Sequence, residues 1–206
     1  MDYIIHLHST RGKKIYVEPE YEEGIYLYPG EIKKQKLADG DAVSAETFQK
    51  LREEYAVPRA KKRALGILVK KDCTEQELRD KLTASLNDTR SVDAALDFVK
   101  DHGYVNDENY AREYLNDKKG RKSYRQIRME LTRKGISGQI LDMVFEEAGS
   151  QQEEDIRPQV IKYIRKFSEL DAVAVQKTCA HFFRKGYPAG AIRKILEEEK
   201  DGRAED

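Results

Sequence analysis

The chain has 206 residues, with 38 lysines and arginines against 38 aspartates and glutamates, so its formal net charge at pH 7 is zero. That balance argues against a protein that coats nucleic acid through bulk positive charge, and the length allows one large domain or a small domain followed by an array. No apolar run approaches the ~20 residues that span a bilayer and no charged-then-apolar leader is present. The two cysteines, Cys73 and Cys179, lack metal-ligand spacing, so a cytoplasmic protein with reduced thiols, no cofactor and no membrane association is expected.

The N-terminal segment is the only part that reads as strand. Tyr3–His8, Lys14–Val17 and Ile25–Tyr28 are short and rich in β-branched and aromatic residues, with turn signals at Arg11-Gly12 and Glu23-Gly24 between them. A small antiparallel sheet is predicted. His6 and His8 share one side of a strand, but a metal site would need further ligands that the neighbourhood lacks. Ser44 is placed to cap a helix from Ala45 to about Tyr55, with Phe48 and Leu51 facing inward. Pro58 disfavours helix at the residue before it, so residues 1–57 are read as a separate small sheet-and-helix domain.

From Pro58 on, the pattern is helical. Ala64, Leu65, Leu68 and Val69 line one side of a helix, and Thr74 with Glu77 has capping-box spacing ahead of Leu78, Leu82 and Leu86. Ser91 opens the next helix through Val92, Ala95, Leu96 and Val99, and Asn106-Asp107 offers the start of another carrying Tyr110, Ala111, Tyr114 and Leu115. The stretch from Ser123 to Glu147 then reads as two short helices bent at Lys134-Gly135. A copy runs from Val175 to Glu198, about fifty residues later. Overlaid without a gap, Ile127 falls on Thr178, Leu131 on Phe182, and Arg133-Lys134-Gly135 on Arg184-Lys185-Gly186. Leu141 falls on Ile192 and Val144 on Ile195. Gly135 and Gly186 are expected to take the left-handed conformation that closes a helix, and Ser137 to cap the next one.

Self-similarity at this period is the mark of a repeat protein whose units bury their apolar faces on neighbours. The fold class read from it is mainly α, with three tandem three-helix repeats in an elongated curved array behind the N-terminal sheet. The repeats span 58–105, 106–150 and 151–200, and a charged tail, 201–206, is expected to be disordered.

Charge is uneven along the chain. Lys118, Lys119, Arg121, Lys122, Arg125, Arg128, Arg133 and Lys134 face one acid, Glu130, in that stretch, whereas residues 1–57 carry eight basic against eleven acidic side chains. On a helix from Tyr124, Arg125, Arg128 and Thr132 fall on one face and Ile127 and Leu131 on another, so charge and packing separate. The third repeat adds Lys162, Arg165, Lys166, Arg184 and Lys185. Such a surface fits DNA phosphates or the acids of a protein partner; the plainer reading is a solvated helix face. His181, Phe182, Phe183 and Tyr187 have base-stacking chemistry, but their spacing is that of core residues, with His181 alone expected outside. No glycine-rich phosphate loop, nucleophile motif or acid-base pair is present.

The Glu77-Leu78-Arg79-Asp80-Lys81-Leu82 element, the junction Gly103-Tyr104-Val105-Asn106-Asp107-Glu108-Asn109-Tyr110-Ala111 and the bend Arg133-Lys134-Gly135-Ile136 closely resemble the RecX family of bacterial regulatory proteins, over roughly Ala60 to Glu198. The resemblance implies a monomeric, non-enzymatic regulator of homologous recombination and the SOS response. Such a protein binds the RecA filament on single-stranded DNA and suppresses its ATP hydrolysis, coprotease and strand-exchange activities. The partner-contacting residues then expected are Lys118, Lys119, Arg121, Lys122, Arg125, Arg128, Arg133, Lys134, Lys162, Arg165, Arg184 and Lys185. A general nucleic-acid-binding helical module is the alternative.

Overall fold

The computed structural model describes residues 2–149 and 152–204. It is mainly helical, with a small antiparallel sheet at its N-terminus, and it divides into two compact units, Met1–Asn106 and Asp107–Asp206.

In the first unit β1 (Asp2–Ser9), β2 (Ile15–Pro19), β3 (Ile25–Leu27) and β4 (Ala42–Ser44) form a sheet in the order β3-β2-β1-β4, each pair antiparallel. Ile5, Val17, Ile25 and Leu27 turn one face inward onto Phe48 and Leu51. The fourth strand and a short helix α1 (Pro29–Gln35) lie in a stretch where sequence gave neither. The strand is three residues long and Ile32 is the one buried side chain of the helix, too little apolar periodicity to read. His8 Nε2 lies 2.8 Å from the Glu18 carboxylate across the β1–β2 register. Among the described residues no group of three or more metal-ligating side chains is present.

The helix break expected at Pro58 does not occur. α2 (Ala45–Leu51), capped by Ser44 Oγ accepting from Thr47 N at 3.1 Å, continues through a π-helical segment, Arg52–Ala56, into α3 (Val57–Leu68). The Val57 N–H reaches back to the Arg52 carbonyl. A π turn widens the helix where the proline ring would strike the carbonyl four residues earlier, so one chain direction crosses the proline. The same segment drives Arg52 into the interior, where it is 1% exposed. There it donates to the carboxylates of Asp88 and Glu22, to Gln49 Oε1 and to the Glu23 carbonyl. Arg52 thereby ties the turn after β2 to the end of the loop between α4 (Glu75–Thr83) and α5 (Thr89–Asp101).

α3, α4 and α5 pack around Ala60, Ala64, Leu78, Leu82, Val92, Leu96 and Val99. The Thr74–Glu77 capping box is formed. α5 starts two residues ahead of the expected Ser91, because Ser91 is buried and donates to the Asp88 carboxylate instead of capping.

The second unit contains α6 (Asp107–Lys118), α7 (Tyr124–Arg133), α8 (Gly138–Ala148), α9 (Gln152–Ile164), α10 (Ala172–Arg184) and α11 (Ala189–Ala204). Two cores form. One gathers Ala111, Leu115, Ile127, Leu131, Ile136, Leu141 and Val144; the other gathers Ile156, Val160, Ile164, Phe182, Tyr187, Ile192 and Ile195. Positions paired by the gapless overlay are buried in both: Ile127 and Thr178, Leu131 and Phe182, Leu141 and Ile192. The copies differ at one end. Ser123 caps α7, whereas the equivalent side-chain cap in α10 is Asp171, three residues earlier in the overlay, so α10 begins one turn sooner. α11 runs past Lys200 to Ala204, which replaces the disordered tail expected from 201 by helix over that stretch. Nothing but a single glycine opposes helix there; Glu205 and Asp206 lie outside the described residues.

Each three-helix set of this unit is clamped by an arginine on its first helix. Arg112 of α6 holds Glu147 of α8 at 2.8 Å, and Arg157 of α9 holds Glu198 of α11 at 2.5 Å. Glu147 sits in the last turn of α8, where the dipole disfavours an acid, and Arg112 offsets that cost.

Candidate nucleoprotein-binding surface

The site begins at the two bends. Gly135 has φ +86° and Gly186 φ +87°, and in each the next residue donates back to the residue five positions earlier, Ile136 N to Leu131 O and Tyr187 N to Phe182 O. This closure leaves Arg133, Arg184 and Lys185 exposed. Ser123, which caps α7, also donates through Oγ to the Lys185 carbonyl at 2.8 Å. The start of α7 is therefore seated on the bend of the third helical set, and Gly186 is closely covered: a Cβ there would lie 2.8 Å from Ser123 Oγ and 3.5 Å from Arg125 Cδ. Gly186→Ala is expected to cost about 2–3 kcal/mol, combining left-handed strain with disturbance of the cap. Urea unfolding measures this; a loss under about 0.5 kcal/mol would show that the contact yields freely.

The basic residues predicted from sequence divide into two groups. Several are committed within the unit. Lys122 pairs with Glu130 at 2.5 Å, and Glu130 also accepts from Tyr114 Oη at 2.8 Å. Arg128 pairs with Asp142 at 2.5 Å and stands over the Phe145 ring. Lys118 pairs with Asp117 at 2.5 Å beside Tyr114, Lys134 lies over Tyr110 and Tyr114, and Lys185 lies over Phe182. Burial, then the Glu130 carboxylate, pushes the Tyr114 hydroxyl up to about 12. The other group, Lys119, Arg121, Arg125, Arg133, Lys162, Arg165 and Arg184, forms no ion pair among the described residues; six of the seven are exposed, and Lys119 is half-buried. Arg125 packs beside Gly186, so positive charge from the start of α7 and from the bend at Arg184-Lys185 meets on one face of the unit.

A groove opens beside that bend, lined by Gln159, Lys162, Tyr163, Lys166, His181, Phe182 and Lys185. Gln159 Nε2 donates to the Gly120 carbonyl, and Tyr124 Oη donates to Asp155 at 3.1 Å, so α9 is held to the loop before α7. Tyr163 stacks on His181 with centroids 4.3 Å apart, and Lys166 Nζ lies 3.3 Å from the Tyr163 ring centre. Sequence reasoning had no cue for Gln159 or Tyr163. Phe182 and Tyr187 are core as their spacing predicts, but His181, expected outside, is half-buried under Tyr163, and Phe183, expected inside, is 63% exposed. The reason is the helical phase of α10, which turns Phe182 onto the Thr178 side and Phe183 away from it.

Burial, and after it Lys185, Lys166 and Arg184, hold the His181 imidazole below its usual range. A depressed histidine binds fewer protons folded than unfolded, so its contribution is present above the unfolded value of about 6.5 and is lost as the pH falls below it. The melting temperature of the parent is expected to fall more steeply from about pH 7 to about pH 5 than that of His181→Gln. A shallower fall in the parent would mean that the imidazolium is favoured.

These features define a three-helix repeat protein whose candidate site is a cationic, aromatic-flanked binding surface. Residues 106–144 match the family model described as RecX, second three-helix domain. The chain is 30% identical to the regulatory protein RecX of Clostridium perfringens strain 13 over 169 residues, covering 80% of each. To that of Clostridium beijerinckii it is 29% identical over 171 residues, covering 81% of this chain and 80% of the relative. The chain belongs to the RecX family. The fold agrees with a crystal structure of regulatory protein RecX, with TM-score 0.63 at 17% identity over 96% of this chain and 100% of the other. It also agrees with that of RecX from Lactobacillus salivarius, with TM-score 0.64 at 22% identity over 70% of this chain and 96% of the other. Among the described residues, no helix is long and apolar enough to cross a membrane.

Proposed function

We propose that the chain is a non-enzymatic, monomeric cytoplasmic regulator that binds the RecA filament on single-stranded DNA and inhibits its ATPase, coprotease and strand-exchange activities. What carries the reading is a set of basic side chains with no ion pair among the described residues, Arg121, Arg125 and Arg184 around the Ser123–Lys185 contact and Arg133 at the far end of α7, in a member of a family of regulators. A cation that no acid neutralises internally keeps its full attraction for phosphates or for carboxylates of a protein surface. The helical sets at 58–105, 106–150 and 151–200 act as repeats. Against a helical polymer, modest contacts from each repeat add through effective concentration. Regulation here consists of occupying the filament, with no bond made or broken.

A second reading, a general nucleic-acid-binding module, draws on the groove in which Lys162, Lys166 and Lys185 surround the Tyr163–His181 stack, since aromatic rings beside lysines suit single-stranded bases. Affinity for RecA-coated and for bare single strands, each at two salt concentrations, separates them. The proposed role predicts preference for the coated strand. Equal affinity with a steep salt dependence favours the module.

A further inference from the structure

The strongest unassigned feature lies in the first unit. A groove there is lined by Lys14, Tyr28, Arg59, Lys62, Arg63, Gly66, Lys70, Ser85 and Leu86. Five of these are cations, on the same unit whose first 57 residues carry a net excess of acid. The concentration comes from α3 and the turn after it, because Arg59 to Lys71 holds six basic residues and no acid. Residues 59, 62, 63 and 66 follow helical spacing and share one face over about 10 Å of axis. Lys14 just ahead of β2 and Tyr28 just ahead of α1 belong to the same lining.

One of the five is already used. Arg59 donates to the Tyr26 carbonyl at 2.7 Å and to the Glu31 carboxylate, and lies 4.8 Å from the Tyr28 ring centre. It fixes Tyr28, which is 39% exposed, as an aromatic wall. Lys14 lies over Tyr26, while Lys62, Arg63 and Lys70 are exposed and form no ion pair among the described residues. Gly66 sits inside α3, and a Cβ built there meets nothing within 4 Å. Glycine weakens a helix interior relative to alanine, and packing does not require it at this position. Its effect is to leave bare helix backbone in the groove, between Arg63 and Lys70, where another chain can approach closely.

We infer that this groove is a second polyanion site, which takes the sugar-phosphate backbone of a single-stranded nucleic acid. Lys62, Arg63 and Lys70 meet phosphates, Gly66 admits the backbone, and Tyr28 offers its ring to a base. A single strand fits better than a duplex because the wall is aromatic and exposed, and stacking on it needs an unpaired base.

The test uses the full chain and labelled oligo-dT without RecA, so its outcome is independent of the filament reading above. Binding is followed by anisotropy from about 50 to about 200 mM salt. Lys62→Glu/Arg63→Glu/Lys70→Glu is compared with Arg11→Glu/Lys33→Glu/Lys36→Glu, which makes the same charge change elsewhere on the unit. Gly66→Leu blocks the groove without altering charge. The groove triple variant is expected to bind about tenfold or more weakly, with the salt slope reduced by about 2, since each single-strand phosphate contact contributes about 0.7. Gly66→Leu is expected to weaken binding with little change in slope. Equal losses in the groove and control variants, or a folded Gly66→Leu protein that binds like the parent, would overturn the proposal.

Discussion

Arg52→Met is expected to destabilise the first unit by about 3–5 kcal/mol, the range for removing one partner of a buried ion pair. Arg52 is 1% exposed, and its guanidinium meets Asp88 at 3.1 Å, Glu22 at 2.7 Å, Gln49 at 2.8 Å and the Glu23 carbonyl at 2.8 Å. Methionine would fill much of the volume above Phe48, so the loss of packing is the smaller part. The larger part is two carboxylates left with reduced compensation. Arg90 still reaches Glu22 at 2.5 Å, and Ser91 still donates to Asp88, but neither supplies a charge to Asp88. Equilibrium urea unfolding should show the midpoint of the first unit falling, with a melting temperature lower by roughly 15 °C or more for a unit of about a hundred residues. A change below about 1 kcal/mol would mean that water reaches the site and that Arg52 is not the tie between the sheet and the α4–α5 loop.

The second large effect concerns the partner surface. Arg121→Glu/Arg125→Glu/Arg133→Glu is expected to weaken binding to RecA-coated single strands by roughly thirtyfold or more, about 2 kcal/mol from three exposed charges at less than 1 kcal/mol each. All three side chains are exposed and form no ion pair among the described residues, so folding should persist. Arg128→Glu is a different experiment. It breaks the pair with Asp142 and sets two acids together, so part of any loss would come from α7 and α8 parting. A folded triple variant that binds coated strands as the parent does would remove this surface from the account.

The repeat was legible because its determinants are local. Gly135 and Gly186, the apolar positions on either side of them and the caps Thr74, Ser123 and Ser137 all act within a few residues of themselves. What sequence could not show depends on partners far along the chain. Nothing near Arg52 in the sequence marks it as buried, because its partners Glu22 and Asp88 lie 30 and 36 positions away. Pro58 reads as a break because a π turn leaves no periodic trace. In the candidate site the density of charge from Lys118 to Lys134 was visible, but not which charges are spent internally. Asp142, which claims Arg128, lies on the next helix, and the Ser123–Lys185 bond joins two helical sets. The basic run from Arg59 to Lys71 is visible in the sequence, but the groove it lines is not, because Lys14, Tyr28 and Leu86 reach it from distant segments.

The most direct measurement of the central claim is the rate of DNA-dependent ATP hydrolysis by RecA filaments assembled on single strands and titrated with the parent protein. Hydrolysis should fall steeply with added protein, and the Arg121→Glu/Arg125→Glu/Arg133→Glu protein should need a much higher concentration for the same effect. Hydrolysis that stays at its starting rate through saturation by the folded parent would contradict the claim.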